Sequence, residues 1–124
     1  MKYLAPLALA AFVPILLAAG SKAGGNVKAG ETLFKQRCMM CHAVTPGAKA
    51  VTAPNLRGLA GTVSGTGDFK FTPALKKAKI VWTKKTLDQF LAAPSERVPG
   101  TLMTTAVPDP KQRADITAYL LSLE

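Results

Sequence analysis

Cys38-Met39-Met40-Cys41-His42 is the stretch that decides how the rest of the chain is interpreted. The pattern CxxCH is typical of the attachment site of a c-type haem. Two thiols at this spacing can each add to one vinyl group of a haem, and the histidine that follows then lies under the ring. Cys38 and Cys41 are therefore the predicted points of covalent attachment, and His42 is the predicted proximal iron ligand. The chain has two cysteines and one histidine, so the motif uses every residue of both types.

Alternative roles for the CxxCH pattern account for fewer of its residues. A CxxC pair also occurs in thioredoxin-like redox proteins, which need a βαβ setting, and in zinc sites, which need two further Cys or His ligands. The sequence offers neither. A structural disulfide remains an alternative in an exported protein, but it gives no reason for the adjoining histidine. The motif thus favours one covalently bound haem c.

The length and composition suit one small domain. The chain has 124 residues, of which 48% are hydrophobic but 6% aromatic, so its side chains alone would make a thin core. A buried macrocycle would supply the missing apolar volume.

The N-terminal residues differ from the rest of the chain. Lys2 is followed by an apolar run at residues 3–19 that contains Pro6 and Pro14. This pattern indicates a secretory signal peptide, which we predict at residues 1–23, followed by one domain at 24–124 in the periplasm. The alternative is that residues 3–19 stay as a membrane anchor, although a comfortable span needs about 20 residues and the prolines disfavour one.

The charge is strongly basic. The formal net charge is +9, and it becomes +7 without residues 1–23, which contain Lys2 and Lys22. Such a balance fits nucleic acid, an anionic membrane or an acidic protein partner, and export disfavours nucleic acid. The alternative is that the lysines serve solubility alone.

Local patterns predict short helices joined by long loops. We expect a helix from Lys28 that runs towards Cys41, a second from Thr72-Pro73 to about Lys79, a third over residues 84–92 that Pro94 ends, and a last one from Asp109-Pro110. Residues 43–67 and 95–108 are rich in Gly, Pro and Thr and are expected to be irregular loops. Signals for strands are nearly absent, so the predicted class is all-α.

A second iron ligand would separate an electron carrier from a haem enzyme with an open site. Met1 leaves with a signal peptide, and Met39 and Met40 lie between the cysteines on the histidine side. Met103 lies in a Pro-Gly-rich loop and could approach the opposite face. By itself, however, a methionine is more often a core residue.

With these residues assembled, the chain resembles the class I cytochromes c of the mitochondrial-like soluble type found in bacteria. The resemblance covers about residues 29–123 and is carried by motifs in the same order as in that family: Gly30, Phe34, Cys38 to His42, Pro54-Asn55-Leu56, Gly58, Gly61, Ile80, Trp82, Thr86-Leu87, Pro94, Pro99-Gly100-Thr101-Leu102-Met103, Arg113-Ala114-Asp115 and Tyr119-Leu120.

The resemblance implies an all-α class I cytochrome c fold, with short helices wrapped around a covalently attached haem c. It implies that His42 and Met103 are the axial iron ligands and that the Pro54 carbonyl orients the His42 ring. Trp82 and Thr101 would then lie near a haem propionate. It also implies that Gly30 and Phe34 pack against Ile116 and Tyr119, far along the sequence.

The function implied is electron transport rather than catalysis. The expected protein is a monomeric periplasmic carrier that cycles Fe(III)/Fe(II) between membrane redox complexes of a respiratory chain or of photosynthesis. Its expected partners are acidic sites on a quinol-cytochrome c oxidoreductase and on an oxidase or photosynthetic reaction centre. A peroxidase-like enzyme is the alternative, but the chain has no second histidine as a distal acid or base. The candidate basic docking residues are Lys35, Arg37, Lys49, Arg57, Lys76, Lys77, Lys84 and Lys85.

Overall fold

The computed structural model describes residues 24–49 and 52–124. These residues form five helices: α1 at Val27–Arg37, α2 at Pro73–Ala78, α3 at Lys84–Ala92, α4 at Pro94–Arg97 and α5 at Pro110–Ser122. The described part of the chain contains no β-strand, and its β structure is one isolated antiparallel bridge between Val63 and Val81. The predicted all-α class is confirmed.

Side-chain caps explain where the longer helices begin. Asn26 accepts a hydrogen bond from the amide of Ala29 at the start of α1 (2.9 Å), and Asp109 accepts one from Gln112 at the start of α5 (3.0 Å). Each cap satisfies an amide that the first helical turn leaves without a partner. Thr83 and Thr86 form a reciprocal capping box at α3.

Helices α1 and α5 cross closely at a glycine. A β-carbon at Gly30 would lie 1.9 Å from the main-chain oxygen of Asp115, so the position leaves no space for a side chain. Next to the crossing, the rings of Phe34 and Tyr119 are tilted with centroids 5.6 Å apart. The packing of Gly30 and Phe34 against α5, which the resemblance implied, is therefore confirmed.

The core consists of two clusters of buried side chains. The first cluster joins α1, α3 and α5 and comprises Phe34, Leu91, Val107, Ile116, Tyr119 and Leu120. The second comprises Ile80, Trp82, Leu87, Phe90 and Val98. Half-buried Met103 packs against both clusters, so it lies where they adjoin.

Two local expectations were wrong. Helix α1 ends at Arg37 instead of continuing to Cys41, because both Cys38 and Met39 donate their amides to the carbonyl of Phe34, which opens the last turn. The second loop does not begin at Ser95, because Pro94 starts the short helix α4. Proline has the backbone angle of a first helical residue and lacks an amide that would need a partner there, so it can begin a helix as readily as it ends one.

The predicted signal peptide at 1–23, and the alternative anchor at 3–19, lie outside the described residues. Within the described part of the chain, no helix has the length and apolar character that crossing a membrane requires.

Candidate haem site

The two cysteines lie in the turn that follows α1. Cys41 and His42 both donate their amides to the carbonyl of Cys38, at 3.1 and 2.9 Å, which folds the turn back on itself. Cys38 is half-buried against the first core cluster and Cys41 is exposed, and neither forms a disulfide. Burial raises the pKa of the Cys38 thiol, and the adjacent Arg37 acts in the opposite direction.

His42 is held by the loop that follows it. Its Nδ1 lies 2.8 Å from the carbonyl oxygen of Pro54. Because a carbonyl can only accept, Nδ1 carries the proton in this bond, and Nε2 keeps its lone pair for a metal. Burial lowers the pKa of His42, and the hydrogen bond to Pro54 opposes that effect. The ring is thus oriented and held neutral, as a metal ligand requires.

Met103 is positioned by the loop between α4 and α5. The amide of Thr101 donates to the carbonyl of Val98 (3.0 Å), and the amide of Met103 donates to the hydroxyl oxygen of Thr101 (3.3 Å). Thr101 is buried and Met103 half-buried. The loop therefore directs a thioether towards the place where the two core clusters adjoin.

Trp82 belongs to the second cluster. Its ring packs edge-on against Phe90, with centroids 5.3 Å apart. Within the described residues, its hydrogen bonds are made by its main chain, which pairs with Gly61 and Thr62. The indole N–H therefore has no acceptor among the described residues and is available to a bound group.

These residues fit a covalently bound haem. The set contains two thiols in one turn, an imidazole with Nε2 available and a soft thioether at the junction of the clusters. A haem iron needs two axial donors of this kind, since the macrocycle supplies the other four. In the parts of the chain that the structure describes, no group of three or more His, Cys, Asp or Glu side chains could hold a metal ion by itself.

Two polar residues of the site were missed by sequence reasoning. The side-chain amide of Asn55 donates to the carbonyls of Thr45 (2.8 Å) and Ala48 (3.0 Å). The guanidinium of Arg57 donates to the carbonyl of Val44 (2.5 Å). Both side chains close the loop that carries Pro54. Asn55 was part of a recognised motif, but its donors are not visible in the sequence, and Arg57 was assigned to the docking surface on its charge alone.

Comparisons with known proteins identify the family. The family model described as Cytochrome c matches residues 27–124. Cytochrome c from Sesamum indicum is 41% identical over 98 residues, which cover 77% of this chain and 88% of that protein. Cytochrome c from Cannabis sativa is 42% identical over 98 residues, which cover 77% of this chain and 88% of that protein. Cytochrome c2 from Agrobacterium tumefaciens (strain II Chrys) is 40% identical over 102 residues, 78% of this chain and 91% of that protein.

The range matched by the family model spans all five helices and the predicted haem-binding residues. The chain therefore belongs to the cytochrome c family: it is an electron carrier with covalently attached haem c, not an enzyme.

Proposed function

We propose that this cytochrome c is a soluble periplasmic carrier that moves electrons between membrane redox complexes. Two observations carry the proposal: His42 is oriented by the Pro54 carbonyl, and Met103 is held where the two core clusters adjoin. Two protein donors that are both fixed by packing and hydrogen bonds suit a carrier, which needs closed axial positions and little rearrangement between oxidation states.

Each residue of the site has one role in this proposal. Cys38 and Cys41 hold the haem through thioether bonds, and haem c supplies the Fe(III)/Fe(II) couple. His42 would hold the iron through Nε2 while the Pro54 carbonyl keeps Nδ1 protonated. Met103 would supply the second protein donor, and its soft sulfur would favour the ferrous state. Trp82 and Thr101 supply an indole N–H and a hydroxyl to the haem environment.

The location follows from the apolar N-terminus, and the partners follow from the charge. Residues 1–23 are proposed to be a cleaved signal peptide, and the remaining charge of +7 suits acidic docking sites. A quinol-cytochrome c oxidoreductase is the proposed donor, and an oxidase or a photosynthetic reaction centre the proposed acceptor. N-terminal sequencing of the protein from washed membranes and from the periplasmic fraction tests the location, because a tethered carrier would retain residues 3–19.

Replacement of Met103 tests the axial ligand. We expect Met103→Ala to keep the covalent haem, because the thioether bonds do not depend on Met103. Its reduction potential should fall and it should bind carbon monoxide, since the soft donor is lost and one axial position opens. Met40→Ala is the matched control, because Met40 is 90% exposed and also lies next to an attachment cysteine. If Met103→Ala kept the parent potential and did not bind carbon monoxide, Met103 would not be the ligand.

A further inference from the structure

The two ends of the loop after His42 are joined by a main-chain hydrogen bond. Near its start, the carbonyl of Ala43 accepts from the amide of Leu56 at 2.9 Å. Pro54, which orients His42, lies on the returning half of the same loop. The distance between His42 Nδ1 and the Pro54 oxygen therefore depends on how firmly the two halves of the loop are joined.

Arg57 joins these two halves to the end of α5. Its Nε donates to the carbonyl of Val44, and its Nη1 donates to the main-chain oxygen of Glu124 at 3.1 Å. The next residue reinforces the link, because the amide of Gly58 donates to the carbonyl of Leu123 at 3.0 Å. The half-buried guanidinium thus spans three segments that are distant in sequence.

The geometry points to Arg57 as a positioning residue for the axial histidine. Val44 is two residues after His42, and Arg57 is three residues after Pro54. The planar guanidinium of Arg57 therefore fixes the position of His42 relative to the Pro54 carbonyl, which accepts the Nδ1–H hydrogen bond. A hydrogen bond to the second ring nitrogen increases the basicity of an imidazole ligand. A more basic ligand stabilises ferric iron, so Arg57 keeps the reduction potential below the value it would have with a loose loop. This inference rests on the proposed role of His42 as an axial ligand.

The test uses the haem-loaded protein and three variants. Arg57→Gln removes the charge and the guanidinium that donates to both Val44 and Glu124. Arg57→Lys keeps the charge but cannot donate to two carbonyls through a rigid fork. Arg97→Gln is the control, because Arg97 is exposed and its replacement removes the same charge from the surface. For each protein we would measure the reduction potential, amide exchange at Leu56 and Gly58, and the His42 Nδ1 proton by magnetic resonance of the ferrous form.

We expect Arg57→Gln to speed exchange of both amides by about threefold to tenfold, which corresponds to the loss of one or two hydrogen bonds. Its Nδ1 proton should exchange faster and its reduction potential should rise. Arg57→Lys should change all three readouts in the same direction, and Arg97→Gln should leave the two exchange readouts unchanged. If Arg57→Gln does not fold, Arg57→Lys decides the question.

Two results would overturn the inference. Faster amide exchange with an unchanged Nδ1 proton and potential would mean that Arg57 only closes the loop. Parent-like behaviour of Arg57→Lys in every readout would mean that charge, not the guanidinium fork, is what matters. Failure of the proposed function is distinguishable, because a parent protein without histidine ligation would show it in its own spectrum before any variant is made.

Discussion

At position 115, a carboxylate lies almost fully buried between α1 and α5 and is 4% exposed. It accepts hydrogen bonds from the amide of Asn26 (2.8 Å) and from the ammonium of Lys111 (3.1 Å). The bond from Asn26 is the largest cause of the lowered pKa of Asp115, and Lys111 also lowers it, while burial opposes both. One side chain thereby ties the start of α1 to α5.

Asp115 should make the stability of the protein sensitive to acid. Its folded pKa is below the unfolded value of about 3.9, so its stabilisation is fully present above that value and is lost as the pH falls through the folded pKa. We expect Asp115→Asn to lower the free energy of unfolding near pH 7 by about 1–2 kcal/mol and to flatten the loss of stability below about pH 4. Denaturant unfolding of the haem-loaded protein from pH 7 to pH 3 measures both effects.

Asp68→Asn is the control for this prediction. Asp68 is exposed, and none of the described residues gives its carboxylate a hydrogen bond or an ion pair. If the free energy of unfolding fell as steeply with decreasing pH in Asp115→Asn as in the parent, other carboxylates would cause the loss of stability in acid.

At the scale of helices, the crossing of α1 and α5 is determined by one missing side chain. The main chains approach so closely at Gly30 that an added β-carbon would meet the carbonyl oxygen of Asp115 at 1.9 Å, its carbonyl carbon at 2.5 Å and the β-carbon of Tyr119 at 2.9 Å. Two of these three close contacts are with main-chain atoms, which cannot move without shifting α5. The tilted contact between the Phe34 and Tyr119 rings depends on the same approach.

Gly30→Ala should therefore destabilise the protein strongly, although alanine favours helices. A side chain forced into a packed interface costs typically 1–3 kcal/mol, and contacts with the main chain place the expected loss at about 3 kcal/mol or more. Urea unfolding followed by circular dichroism measures the change. Gly24→Ala is the control, because a β-carbon there meets nothing within 4 Å. A loss below about 1 kcal/mol would mean that the helices can separate at little cost.

Over the whole molecule, contacts within the protein reduce the set of basic residues available for docking. Arg57 is committed to main-chain carbonyls within the protein. Lys35 is paired with Glu31 at 2.8 Å, although an exposed pair of this kind contributes little free energy. Arg37 and Lys49, which precede and follow the CxxCH motif in the sequence, remain exposed.

Electron transfer to a membrane partner should slow steeply as the salt concentration rises, because a basic surface steers encounters over a Debye length of about 10 Å at 0.1 M salt. We expect charge reversal by Arg37→Glu or Lys49→Glu to slow transfer more than Arg97→Glu. Arg97 is the sole basic residue among residues 95–108 and has Glu96 beside it. Stopped-flow rates with an isolated partner complex at several salt concentrations provide the measurement. A rate independent of salt, or an equal effect of all three reversals, would contradict the predicted docking side.

The sequence alone determined the features whose cause is local. Five consecutive residues identify the haem attachment site, and caps such as Thr72 and Asp109 mark helix starts that the structure shares. The family was recognisable because its motifs are contiguous and occur in a fixed order. The roles of His42 and Met103 as iron ligands stay predictions, consistent with the positions that the structure gives these residues.

Tertiary structure decided what depends on partners far away along the chain. Asn26 and Asp115 are 89 positions apart, and Arg57 and Glu124 are 67 positions apart, so no local pattern indicates either contact. In the sequence, Arg57 is one more positive charge, and only the folded chain shows that its donors point inward. The physical reason is that a hydrogen bond is decided by distance and direction in space, whereas composition and spacing describe a side chain's chemistry without its neighbours.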